Sequence, residues 1–557
     1  MKKYSLFLLF ALLSQALFAQ QESFIKILKD EANRNLEKLK EQPVPAYYVS
    51  YRVYDTETYR MGASFGKLMF RQPQQYRLLH TMVRVGDYRM DNTHELKSND
   101  NSRSNGYEGY ETLPIENNPP ALQRILWKKT DQLYRDAAKQ YQNVKANIAV
   151  KVAAEDKSDD FSQEAVENYY EKTIAFKELL PNLNTWEEKL KKISNVFTEN
   201  KEIHDCGAYM EIELVRKSFA DTEGREIEEN AYGYRLSINA STTADDGMNL
   251  PLYKTYFVFS LKDLPSDEQV INDAREMSKM ISALRRAPVA ESYSGPILMT
   301  AKASGVFFHE IFGHRIEGAR MKQETDAQTF KKKVGQLVLP NDFSIIFDPN
   351  LKEYKKLPLS GYYMFDDEGI RGQRTAIVEN GILKSFLMSR VPIEGFDHSN
   401  GHGRGMVYLN PVTRQSNMII ESQTPKSEQE LREMLIAEAK KDHKEYGYII
   451  DQVAGGFTQT GRYMPNAFNV TPLVVYRIYT DGRPDELVRG VDLVGTPLAM
   501  FSQIEACGNE YEVFNGYCGA ESGSIPVSCV APTIFVKMVE TQKKSKAQDQ
   551  PPILERP

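Results

Sequence analysis

The segment Phe307-Phe308-His309-Glu310-Ile311-Phe312-Gly313-His314-Arg315-Ile316-Glu317-Gly318 limits what this 557-residue chain can fold into more than any other. Its apolar residues call for a buried helix, yet it carries two histidines and two glutamates. Buried carboxylates and imidazoles are costly unless partnered. The spacing adds a second constraint. Five residues turn a regular α-helix through about 500°, leaving the His309 and His314 rings roughly 140° apart. The rings meet only if the helix widens locally, as at a π-bulge, or breaks near Gly313. Otherwise the segment is a helix with two separate core histidines.

At 557 residues the chain is too long for one ordinary domain and implies two to four. With 41% hydrophobic and 26% charged residues a packed core is expected and general disorder is excluded. The 31 Tyr and 26 Phe against 2 Trp favour β-rich structure. A net charge of −6 offers no basic footprint for nucleic acid, and four cysteines are too few for a disulfide-built scaffold. Lys2 and Lys3, the apolar run Leu6 to Leu13 and the small residue Ala19 predict a secretory signal peptide over residues 1–20, cut near Ala19 or Gln20. The run is short of the roughly 20 residues a membrane span needs. An exported protein follows, in the bacterial periplasm or outside the cell, with an uncleaved anchor as the alternative.

The rest of the chain reads as α+β. Residues 21–118 are expected to form an N-terminal domain: a helix from Phe24 to Leu39, ended by Pro43, then a β-meander through Tyr47–Tyr54, Lys67–Phe70 and Tyr76–Val85. The polar stretch Asn99–Asn118 marks its boundary. Residues 119–290 predict a middle helical and β domain. It opens on Pro119-Pro120, passes a solvated charged run from Lys151 to Phe161, and continues into a helix capped by Thr185 with Glu188. Strand patterns from Tyr209 to Ser260 and a helix over Asp267–Leu284 complete it. Residues 291–541 predict a third domain, mainly antiparallel sheet plus the His-Glu helix. Its signals are the Glu379-Asn380-Gly381 hairpin and a Ser427/Glu430 helix cap. Residues 542–557 read as a disordered tail.

Two histidines bracketing a glutamate suit a metal held by imidazoles, with the carboxylate activating water. The flanking motifs then point to a family. His309-Glu310-Ile311-Phe312-Gly313-His314 with Glu317-Gly318, Asp366-Asp367-Glu368-Gly369, Arg374-Thr375, Ser399-Asn400-Gly401-His402-Gly403-Arg404, Arg414-Gln415-Ser416-Asn417, Arg489-Gly490 and Cys518-Gly519 occur in the order of the TldD/PmbA metallopeptidases, which the region Ser294–Glu540 resembles. The resemblance implies Zn2+ held by His309, His314 and Cys518, with Glu310 as the general base acting on a zinc-bound water. It implies a peptidase for unfolded or short peptides, working as a homodimer or a heterodimer with a paralogue. Since the family also includes non-catalytic partner subunits, that is the alternative. Glu317 is a candidate to orient His314, or else a charge at a helix end. His402 and Arg404 are candidates for substrate binding or oxyanion stabilisation, with Tyr408 and Arg414 in the same class, or they belong to a solvated loop. Cys507 and Cys529 are left to pair with each other or to stay reduced, and Cys206 reads as an ordinary buried thiol.

Overall fold

The computed structural model describes residues 23–95, 109–150, 156–322, 326, 328–458, 460–461, 468–544 and 554. The expected signal peptide lies outside them.

The first helix runs Phe24–Leu39, as its apolar spacing predicts. It is followed by two 19-residue strands, Ala46–Ser64 and Lys67–Val85, joined by a tight turn. The second strand is continuous where the sequence suggested two. Pro73 interrupts the apolar pattern, but it pairs only with Tyr59 and faces no strand on its other side. A proline without an N–H is tolerated at such an open edge.

Strands from the expected N-terminal and middle domains share one sheet. Ala46–Ser64 pairs antiparallel with Asp205–Asp221 over residues 50–63, more than a hundred positions away in the chain. Strands Tyr110–Leu113, Lys67–Val85, Ala46–Ser64, Asp205–Asp221 and Glu226–Thr243 lie in that order in a seven-stranded sheet, with Tyr169–Tyr170 and Asn249–Val258 also on Glu226–Thr243. Side chains alternate between faces of a strand. One face, carrying Val49, Tyr51, Val53, Tyr59 and Met61, is covered by helices Phe24–Leu39, Pro119–Val150, Leu183–Asn195 and Asp267–Arg286. The helix Leu183–Asn195 is capped by Asn182, which accepts from the Thr185 N–H, and not by Thr185 itself.

The opposite face carries Arg52, Tyr54, Lys217 and Glu229 and meets the C-terminal domain. Arg52 donates to the carbonyls of Gly405 (3.3 Å), Met406 (3.0 Å) and Leu409 (2.8 Å). Tyr54 hydrogen-bonds Asp367. Phe161 was expected in a solvated run. It is buried, with the guanidinium groups of Arg84 and Arg390 each 3.8 Å from its ring centroid. It thus ties both domains together by stacking under two cations.

The C-terminal domain is an eleven-stranded mixed sheet, mostly antiparallel. Its long hairpin Ile504–Ala520/Gly523–Lys543 forms the centre; Gly523–Lys543 is flanked by Asn417–Ser422 and Tyr293–Met299, and Tyr446–Thr458 lies beyond Tyr293–Met299. Gln542 and Lys543, expected in the tail, continue this sheet by pairing with Val491 and Asp492. Asn380 and Gly381, both at positive φ, make the expected hairpin turn. The Ser427/Glu430 capping box is formed. The helix Ala301–Ile311 is buried along its length against the sheet, sharing a core with Phe343, Ile345, Phe501 and Ile534. All four cysteines are reduced and buried, so Cys507 and Cys529 do not pair here.

Candidate metal centre

The motif helix is fixed at its start. Thr300 N–H donates to Ile450 O (3.0 Å), its hydroxyl to Asp451 O (2.8 Å), and the Ser304 hydroxyl to Pro532 O (2.6 Å). The helix ends at Ile311, and a 3-10 turn over Gly313–Arg315 follows. Of the two distortions that would bring the rings together, a widening or a break near Gly313, the helix takes the break. Gly313 is needed for a second reason: a Cβ there would lie 2.0 Å from Gln415 Oε1. Gln415 reaches this position and its Nε2 donates to the carbonyl of His309 (3.4 Å).

The break turns the two rings toward each other, with centroids 4.9 Å apart at 78°. Cys518, on the strand Ile504–Ala520, places Sγ 3.3 Å from His314 Nε2. The ligand atoms of His309, His314 and Cys518 all lie within 4.8 Å of one another, and the three side chains are buried. Burial alone would raise the Cys518 thiol, but His314 and His309 hold it well below its usual range. Burial likewise works against charge on His314, yet Cys518 and Glu317 lift it to about 10. Each of the two groups thus favours the charged form of the other, thiolate and imidazolium. A divalent cation would take the place of the His314 proton, so the donor set fits zinc with one position left over.

Glu310 is 6% exposed, and burial raises its carboxyl above the usual range although both histidines pull it down. The strand Tyr446–Thr458 lies directly against it: a Cβ on Gly456 would be 2.1 Å from Glu310 Cγ. Gly456 escaped the sequence reading. The Gly455-Gly456 pair inside a strand was the available signal, since such glycines mark close approach.

Glu317 is fully buried, not a charge at a helix surface. Its Oε1 lies 3.3 Å from His314 Nδ1, and Oε2 accepts from Arg320 Nε at 2.8 Å. Burial opposes its ionisation, but Arg320 and His314 bring it down to about 2. The carboxylate fixes the His314 ring with Nε2 toward Cys518. Arg320, also missed in the sequence, in turn contacts Glu521 (3.1 Å) and Thr460 (3.1 Å).

The glycine-rich segment does not face the three ligand atoms. His402 is wholly buried, with Nε2 2.9 Å from Ser416 Oγ and Nδ1 2.8 Å from Asn400 Oδ1. Arg404 donates to Gln415 O (2.6 Å) and Pro526 O (2.9 Å). Both brace the segment that presents Gln415. Arg414 is buried as well and donates to Cys518 O (2.5 Å) and Ser522 Oγ (2.8 Å), which anchors the cysteine strand. Tyr408 packs on Tyr110, and its hydroxyl meets Met406 Sδ at 2.8 Å. In this geometry the polar groups of His402, Arg404 and Arg414 bond to the chain itself.

Residues 292–543 match the family model described as the PmbA/TldA metallopeptidase C-terminal domain. Over 271 residues the chain is 29% identical to a protein of Archaeoglobus fulgidus named "Metalloprotease", covering 49% of this chain and 57% of that relative. It therefore spans little more than half of that relative's length. Over 366 residues it is 24% identical to the "Zinc metalloprotease TldD homolog" of Saccharolobus solfataricus, covering 64% and 76%. The fold is similar to the crystal structure of TldE from Thermococcus kodakarensis, with a TM-score of 0.60, 14% identity, and coverage of 92% of this chain and 99% of that one.

Proposed function

Since this chain belongs to the TldD/PmbA family, we propose that it is a zinc-dependent peptidase that hydrolyses short or unfolded peptides. The observation that carries the reading is the convergence of two imidazoles and a thiolate within 4.8 Å, beside a buried carboxylate. Zinc held by His309, His314 and Cys518 would supply a Lewis acid that polarises the peptide carbonyl and eases ionisation of water.

The chain's own residues supply the rest. Glu310, raised by burial yet still attracted by the histidines, is poised to accept a proton from the attacking water and return it to the leaving amine. Glu317 keeps His314 in the orientation that points Nε2 at the site, and Arg414 fixes the strand that carries Cys518. Buried surroundings strengthen both effects, because low dielectric magnifies fixed charges.

The reading extends to location and assembly. Lys2, Lys3 and the apolar run after them support export to the periplasm or the exterior. The motif resemblance to the TldD/PmbA metallopeptidases supports pairing with a second copy or a paralogue.

The test is paired. The purified chain should hold about one zinc, and Glu310→Gln should keep it while peptide hydrolysis falls about 100-fold or more. A zinc-loaded Glu310→Gln with parental turnover would refute the base assignment. Absence of zinc together with absence of hydrolysis would favour a non-catalytic partner subunit.

A further inference from the structure

The N-terminal sheet reaches the metal centre at two points. Arg235 Nη1, on the strand Glu226–Thr243, donates to Asn515 O at 3.1 Å, three residues before Cys518. Tyr253, on the neighbouring strand Asn249–Val258, donates from its hydroxyl to Val453 O (3.0 Å) and Ala454 O (3.2 Å), just before Gly456 and its contact with Glu310. Tyr253 pairs with Asn239, and Arg235 with Phe257. The two bridges are therefore four residues apart, about 13 Å along the strands. Between them lie Ser237 and Thr255, with hydroxyls 3.2 Å apart. One polar sheet face thus spans from the cysteine strand to the strand lying against Glu310.

Arg235 is unusual within this face. Its guanidinium carbon lies 5.0 Å from the Tyr517 ring centroid and 5.4 Å from that of Phe257, so two rings hold it. Among the described residues it has no carboxylate within ion-pair distance. Glu211, directly opposite on the adjacent strand, is taken by Arg60 at 2.6 Å. Glu213 is the next carboxyl along; burial and Glu211 push it upward while Arg60 and Arg235 pull it down, so Arg235 meets it only as a longer-range neighbour shared with Arg60. Asn515 O and the Tyr517 side chain engage part of the guanidinium, and the remaining N–H groups of a stacked arginine suit a planar anion, because its fork matches a carboxylate.

We propose that Arg235 is a specificity-determining residue that binds a peptide carboxylate, foremost the chain terminus, so that the site accepts peptides by their carboxyl ends. This rests on the peptidase reading above. A peptide laid along the Ser237/Thr255 face with its terminus at Arg235 would run from the cysteine strand toward the strand that lies against Glu310.

The test measures binding separately from turnover. N-terminally dansylated tetra-alanine is prepared as the free acid, as the C-terminal amide, and as an amide ending in Glu, and each is titrated by fluorescence into zinc-loaded Glu310→Gln. The free acid should bind at least about tenfold more tightly than the plain amide. Arg235→Gln should abolish that preference and Arg235→Lys should retain part of it, with thermal unfolding confirming that each variant is folded. The Glu-ended amide matching the free acid would assign the site to acidic side chains. Equal affinity for acid and plain amide, including no measurable binding of either, overturns the proposal, as does a preference that survives Arg235→Gln. Hydrolysis by the parent chain is scored apart: an acid preference without cleavage contradicts the peptidase reading and leaves the carboxylate site standing.

Discussion

Gly456→Ala separates the general base from the metal ligands more cleanly than any change to the motif itself. The added methyl would sit 2.1 Å from Glu310 Cγ and 2.5 Å from Cδ, whereas ordinary contact begins near 3.4 Å. One of the two must give by roughly 1.3 Å. The backbone at Gly456 is not in the left-handed region, so alanine itself is conformationally acceptable there. The strand is paired with Val470 on its far side, so the Glu310 carboxylate is the part that moves. A misplacement of about 1 Å costs on the order of 100-fold in rate. Crowding in a packed interior costs about 1–3 kcal/mol of stability. The three atoms nearest the methyl all belong to Glu310, so zinc content should be unchanged. Elemental analysis, a thermal melt and kcat/KM on one peptide substrate read all three effects. Parental kcat/KM in a folded, zinc-loaded Gly456→Ala would refute the placement of Glu310 as the base.

Cys518→Ser should lose zinc affinity and most activity, because a serine hydroxyl is not ionised at neutral pH, whereas Cys507→Ser and Cys529→Ser should keep full zinc stoichiometry by elemental analysis. His80 and His402 are both held near 3, by burial first and then by Arg52 and Arg404 respectively, against about 6.5 unfolded. The unfolded chain therefore binds protons that the folded one does not. The contribution of these two rings to stability should be flat above pH 7 and fall by about 1.4 kcal/mol per pH unit for each ring between roughly pH 6 and 4. Urea unfolding of His402→Gln should show a shallower slope, and an unchanged slope would contradict the burial account. Phe161→Ala should cost about 4 kcal/mol by removing a buried ring stacked under Arg84 and Arg390, measured by denaturant unfolding.

Local signals in the sequence translated well into local structure. Apolar spacing placed Phe24–Leu39, the Asn380-Gly381 pair placed its hairpin, and Ser427 with Glu430 placed a helix start. The helix break at Gly313 was also legible, because two rings five residues apart cannot share a site on a regular helix. Long-range pairing was not. Ala46–Ser64 and Asp205–Asp221 each read as strands, but nothing local says that they are neighbours, so one sheet was divided into two domains. Phe161 was hidden by the charged residues around it, although its burial comes from arginines on distant segments. The same limit applies at the site. His402 and Arg404 stood out by residue type and glycine context, but their hydrogen bonds go to the scaffold. Arg320, Gly456 and Arg235 had no motif to mark them, since their meaning depends on which chain segment lies opposite.

The central claim is that His309, His314 and Cys518 together hold the catalytic zinc. X-ray absorption at the zinc edge of the purified, metal-loaded chain tests it directly. The account predicts one sulfur scatterer at about 2.3 Å and nitrogen or oxygen neighbours at about 2.0–2.1 Å, with the sulfur signal absent in Cys518→Ser. A first shell of nitrogen and oxygen alone, or a sulfur signal that persists in Cys518→Ser, would contradict it.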